Sequence, residues 1–152
     1  MKPLNEMKLN FPSRSANEGF ARAVVAAFVS QLDPAVDELA DIRTAVSEAV
    51  TNCIVHAYPD TIGAIYLSVR LYENGRIVIK IRDKGCGIAD VRQAMEPLFT
   101  TGGEERSGLG FSVMESFTDR LRVSSRKGKG TSVVLEKYIA PRESAQNGAK
   151  PS

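Results

Sequence analysis

Ser47-Glu48-Ala49-Val50-Thr51-Asn52-Cys53-Ile54-Val55-His56-Ala57 decides the fold. Val46, Val50 and Cys53, with Val36 and Leu39 upstream, form an apolar stripe at helical spacing. Glu48 and Asn52 stand at i, i+4 and point away from that stripe, among Ala45, Ala49 and Val55 rather than lysines. A helix that is apolar nearly all round is covered on both sides. One side then packs on a sheet, and the other places a carboxylate and an amide in a small, apolar setting that suggests a ligand cleft. The helix is expected to start at Asp33-Pro34, with proline in its first turn, and to run to Ala57, with Pro59 marking its end.

Upstream, Met7, Leu9 and Phe11 alternate with polar residues and predict a short strand. Ser15-Ala16-Asn17-Glu18 has the pattern of a capping box. It opens an expected helix to about Leu32, with Phe20, Val24, Ala27 and Phe28 on its apolar face. Downstream, Ile65, Leu67, Val69 and Leu71 alternate with Tyr66, Ser68, Arg70 and Tyr72. Asn74-Gly75 signals a hairpin, after which Ile77, Ile79 and Ile81 resume the alternation. A short helix is expected over Ala89 to Met95, a loop over Pro97 to Ser107, and a helix from about Leu109 to Phe117. A second hairpin turns at Lys127–Gly130 and returns over Thr131 to Tyr138. The order β-α-α-β-β-α-α-β-β predicts a two-layer α/β sandwich, with helices on one face of a mixed, mostly antiparallel sheet. Residues 1–140 read as one domain, and 141–152 as a disordered tail.

Composition allows a compact globular domain: 152 residues, 43% hydrophobic and 25% charged. The net charge of +2 is too small to imply a nucleic-acid groove. Arg120, Arg122, Arg126, Lys127 and Lys129 have no aromatic platform beside them and read as a solvated hairpin face. Cys53 and Cys86 have no metal-ligand spacing, and the single His56 cannot complete a zinc site. The longest purely apolar run, Ala23–Val29, is far short of a membrane span, and the N-terminus lacks a signal-peptide core. The chain therefore reads as cytosolic.

Two further motifs follow the helical pair. Asp83-Lys84-Gly85-Cys86-Gly87 ends a strand. A carboxylate there can accept a hydrogen bond from an exocyclic amine such as that of adenine, and Gly85 and Gly87 let backbone approach a flat base. Gly108-Leu109-Gly110 precedes a helix, whose free N–H groups favour phosphate oxygens. Asn52 offers a hard oxygen for Mg²⁺, and Glu48 is placed to take a proton from a nucleophile that attacks a terminal phosphate. Neither a Walker A sequence nor a protein-kinase His-Arg-Asp loop is present.

Together these residues resemble the GHKL ATPase/kinase superfamily, in which Glu-x-x-x-Asn, Asp-x-Gly-x-Gly and Gly-x-Gly recur in this order. The resemblance implies that the fold is of the Bergerat type, that Asn52 holds Mg²⁺ and that Asp83 reads the adenine of ATP. It also implies a lid at 97–107 and nucleotide contacts from Thr100, Thr101, Ser107, Gly108, Leu109, Gly110 and Thr131. Arg106, in that lid, is a candidate for neutralising the terminal phosphate. Arg14–Glu18, Gln31–Pro34, Val46–Asn52, Pro97–Thr101 and Glu105–Gly108 narrow the likeness to the bacterial anti-sigma factor/serine kinase group. That resemblance implies two partners, the sporulation sigma factor F and an anti-anti-sigma factor phosphorylated on serine. It further implies a homodimer and a contact role for Arg22 toward both partners. The alternatives are a general-stress anti-sigma factor B kinase with the same chemistry, or a nucleotide-dependent binding module without turnover.

Overall fold

The computed structural model describes residues 1–95 and 110–140. The five strands are β1 (Asn5–Pro12), β2 (Ala64–Leu71), β3 (Arg76–Asp83), β4 (Arg120–Arg126) and β5 (Gly130–Tyr138). They form one sheet in the order β1-β2-β3-β5-β4. All four pairings are antiparallel, so the expected mixed sheet is corrected to a purely antiparallel one. Each neighbouring pair is joined or flanked so that its strands run in opposite senses, and no β-α-β crossover sets two strands parallel.

The alternation read in the sequence is what makes the sheet two-faced. Ile65, Leu67, Val69 and Leu71 of β2 and Ile77, Ile79 and Ile81 of β3 are buried together with Val133 and Leu135 of β5. The opposite face carries Lys8, Arg70, Lys80, Arg82 and Arg122. Arg122 lies 3.7 Å from Glu136, which also binds Arg76 at 3.3 Å, so part of this charge is neutralised within the sheet.

Helices α1 (Ala16–Val29), α2 (Val36–Asn52), α3 (Val91–Ala94) and α4 (Phe111–Ser116) complete the second layer. The buried face of α1 is Ala21, Val25 and Val29, one position along from the expected stripe. Phe20 is 47% exposed and rests edge-on against Phe11. Ser15 precedes α1 in a helical conformation (φ −58°) and makes no side-chain cap: the Glu18 N–H donates to the Ser15 carbonyl at 3.2 Å, and the Glu18 carboxylate turns to Arg22 and Ser47. The start of α2 also differs. Pro34 lies before the cap residue Ala35, whose N–H donates to Glu38 at 2.8 Å, and Asp33 takes a left-handed conformation with φ 53°. Val36 is exposed, and the inward face of α2 is Ile42, Ala45, Val46, Ala49 and Val50.

Helix α2 does not end at Asn52. It widens into a π-helical turn, Cys53–Ala57, so the expected reach to Ala57 holds with a changed hydrogen-bond ladder. Such turns recur at functional positions. Val55, expected beside the cleft, is exposed on this turn. Among the described residues no helix is long and apolar enough to cross a membrane.

Candidate functional site

Asp83 closes β3 and is buried, at 6% exposure. One carboxylate oxygen, Oδ1, accepts from the N–H of Gly85 at 2.9 Å and from the N–H of Thr131 at 3.2 Å. The other, Oδ2, lies 3.5 Å from the Cys53 thiol, a long and weak contact. Burial and the neighbouring carboxylate hold the Cys53 thiol far above its ordinary pKa, so it stays a neutral packing group. Oδ2 therefore keeps acceptor capacity toward the cleft in front of it.

That cleft has a volume of about 380 Å³, within the range of small-molecule sites. Its walls are mostly apolar, from Ala49 and Ala57 on one side, Ile88 and Ala94 on another, and Phe111 at the start of α4. Asn52, Asp83 and Thr131 supply polar groups on the same lining, so three candidates scattered over eighty residues of sequence meet in one place.

Local backbone chemistry fixes the loop after Asp83. Gly87 has φ 74°, and a Cβ there would collide with the Arg126 carbonyl. At Gly85 a Cβ would strike the Ala57 carbonyl, which accepts instead from the Cys86 N–H at 3.1 Å. The motif's glycines thus let the loop lie against the end of the π turn. Tyr58 adds a second staple: its hydroxyl accepts from the Lys84 N–H at 2.7 Å and donates to the Ala64 carbonyl at 2.7 Å. On the far side the Ser125 hydroxyl accepts from the Ile88 N–H at 2.8 Å and meets Thr131 Oγ1 at 2.7 Å.

Tyr58, Ser125, Ile88 and Phe111 were missed by sequence reasoning. Phe111 carried a usable signal, since it directly follows the glycine pair. The roles of Tyr58 and Ser125 depend on strand register, which no local pattern reveals.

Glu48 lies one turn before Asn52 and is half-buried. Burial first, and then the nearby Glu18 carboxylate, raise its pKa above the ordinary 4.5. Gly110, with φ 69°, caps α4 directly against Glu48, and a Cβ at that position would collide with the Glu48 carboxylate. Glu48 thereby reaches the start of α4, where the sequence expected phosphate to sit. Arg22 is partly exposed and bonds Glu18 at 2.9 Å. Thr100, Thr101, Arg106, Ser107, Gly108 and Leu109 lie outside the described residues.

Residues 11–137 match the model of the histidine kinase-like ATPase domain. The chain belongs to that family and, within it, to the anti-sigma F factors. It is 57% identical over 136 residues to the anti-sigma F factor of Caldanaerobacter subterraneus subsp. tengcongensis, covering 89% of this chain and 94% of that one. It is 54% identical over 138 residues to the anti-sigma F factor of Geobacillus thermodenitrificans, covering 90% and 94%. A solved structure of the RsbU and RsbW domains of Rv1364c from Mycobacterium tuberculosis shares the fold, with a TM-score of 0.68 at 18% identity. The likeness covers 92% of this chain and 34% of that one.

Proposed function

We propose that the chain is an ATP-dependent serine kinase that also restrains a sigma factor. In this reading it binds the sporulation sigma factor F, phosphorylates a serine of an anti-anti-sigma factor and acts as a homodimer. The observation that carries the nucleotide half is the buried Asp83 carboxylate, anchored by two backbone donors and facing an apolar cleft of about 380 Å³. Such a cleft accepts a flat base between Ala49, Ala57, Ile88 and Phe111, while Asp83 takes a hydrogen bond from its exocyclic amine.

Among the described residues no cluster of three or more His, Cys, Asp and Glu could hold a metal by itself. This donor set suits an ion that arrives on nucleotide phosphates and takes one protein oxygen, from Asn52. Bound there, Mg²⁺ would draw charge from the phosphoryl group. Glu48 accepts the proton of the acceptor serine as its oxygen bonds to the terminal phosphorus and ADP leaves. A carboxylate with a raised pKa is a stronger base than an exposed one, which suits this task. The names of the relatives, at 54–57% identity over most of both chains, support the sigma-factor half.

Radiolabelled ATP and a purified anti-anti-sigma protein of the same organism test the kinase half. Label on a serine of that protein, lost with Glu48→Gln while ATP still binds, is the expected result. ATP binding with no label transferred by the unaltered chain would reduce the site to a binding module.

A further inference from the structure

A second groove, of about 320 Å³, crosses the surface where α1 meets α2. Arg22, Ala40, Arg43, Thr44, Ser47 and Glu48 line it, and it shares no lining residue with the adenine cleft. Ala40, Arg43, Thr44 and Ser47 follow the i, i+3, i+4, i+7 pattern of one helix face. Three of the four are small, so they form a floor rather than a wall. Glu48 stands at one end of that floor.

The two arginines differ. The Arg22 guanidinium is already held by Glu18, which Ser47 also contacts. Arg43 is exposed and makes no hydrogen bond or ion pair with any described residue. The groove thus presents one uncommitted guanidinium and, at its end, one carboxylate with a raised pKa. Arg43 precedes Glu48 by five residues, about 7.5 Å along the helix axis. An extended peptide covers that distance in two to three residues at roughly 3.3 Å each.

We infer that this groove seats the acceptor segment, and that Arg43 selects serines with an Asp or Glu within about three residues. The inference rests on the serine-kinase reading above and adds the chemistry of its substrate. A guanidinium pairs bidentately with a carboxylate, which fixes the peptide's register as well as its charge. With that side chain anchored on Arg43, the serine hydroxyl lies over Glu48.

The test is a charge exchange. The acceptor serine of the anti-anti-sigma protein is located by mass spectrometry, and each Asp or Glu within three residues of it is changed in turn to Lys. Arg43→Glu should lower kcat/KM for the unaltered acceptor by on the order of ten-fold or more, with the KM for ATP unchanged. One Lys acceptor variant should be equally poor with the unaltered kinase and regain most of that loss with Arg43→Glu. Such a reciprocal rescue cannot come from a folding defect, because a change in the acceptor cannot repair a misfolded kinase. Normal transfer by Arg43→Glu, or no rescue by any Lys variant, overturns the inference and leaves the kinase reading standing. Loss of sigma-factor binding with unchanged phosphotransfer also overturns it, by assigning the groove to the other partner. No transfer by the unaltered kinase sinks both.

Discussion

Changing Asp83 to Asn removes one charge and swaps one acceptor for a donor, with almost no change in shape. Oδ1 of Asp83 already serves two backbone N–H groups, of Gly85 and Thr131. The amide oxygen of asparagine must take over both, since turning it away would leave two buried donors unpaired. The NH₂ group is then forced into the place of Oδ2, beside Cys53 and facing the cleft. An adenine amine arriving there meets a donor. The loss is a charge-assisted hydrogen bond of about 1.5–3 kcal/mol plus an unpaired donor of about 1–3 kcal/mol, so about 3 kcal/mol is a conservative total. At 1.4 kcal/mol per factor of ten, ATP affinity should fall on the order of one hundred-fold. A guanine presents a carbonyl at the same position, so the variant should lose less affinity for GTP, which separates a changed contact from an unfolded chain. Titration calorimetry with ATP and GTP, alongside thermal melts, reads both effects. ATP affinity within three-fold of the unaltered chain, with the fold intact, would refute the assignment of Asp83 to the base.

Glu48 must be ionised to accept a proton, and its pKa lies above 4.5 through burial and the Glu18 charge. The phosphotransfer rate should therefore fall, as pH is lowered, at a pH above the ordinary glutamate range; an acid limb at or below 4.5 would remove Glu48 from the role of base. Gly110→Ala must hold a left-handed conformation and displace the Glu48 carboxylate. It should cost about 1–3 kcal/mol in a denaturant titration, and unchanged stability would contradict the close approach. Arg22→Ala should weaken the complexes with both the sigma factor and the anti-anti-sigma factor by about 2 kcal/mol each, leaving ATP affinity unchanged in calorimetry. Pull-downs of both partners that match those of the unaltered chain would end the shared-surface idea.

The strands were legible because a sheet with one buried face writes its period directly into the chain, as at Ile77, Ile79 and Ile81. The candidate site was legible in its backbone where the motif glycines are needed for a turn, as at Gly87 and Gly110, both with positive φ. Helix entries were less so. Ser15 and Glu18 fit a capping pattern, yet Glu18 has stronger partners in Arg22 and in Ser47, which arrives from a helix twenty-nine residues on. A local pattern holds no information about such a competitor. The inward face of α1 was misread for a similar reason. Phe20 is the larger apolar residue, but it leans on Phe11 at the surface, and the small Ala21 is the residue that is buried.

The π turn at Cys53–Ala57 ties the end of α2 to the loop after Asp83 through the Ala57 carbonyl, the Cys86 N–H and the Tyr58 hydroxyl. The Asn52 amide and the Asp83 carboxylate, to which the proposed function gives the phosphate-borne metal and the base, are thus mounted on one stapled unit. Their spacing is set by the fold before any nucleotide arrives. A ligand entering this side spends none of its binding energy on ordering the wall, so differences in affinity between nucleotides measure differences in direct contact.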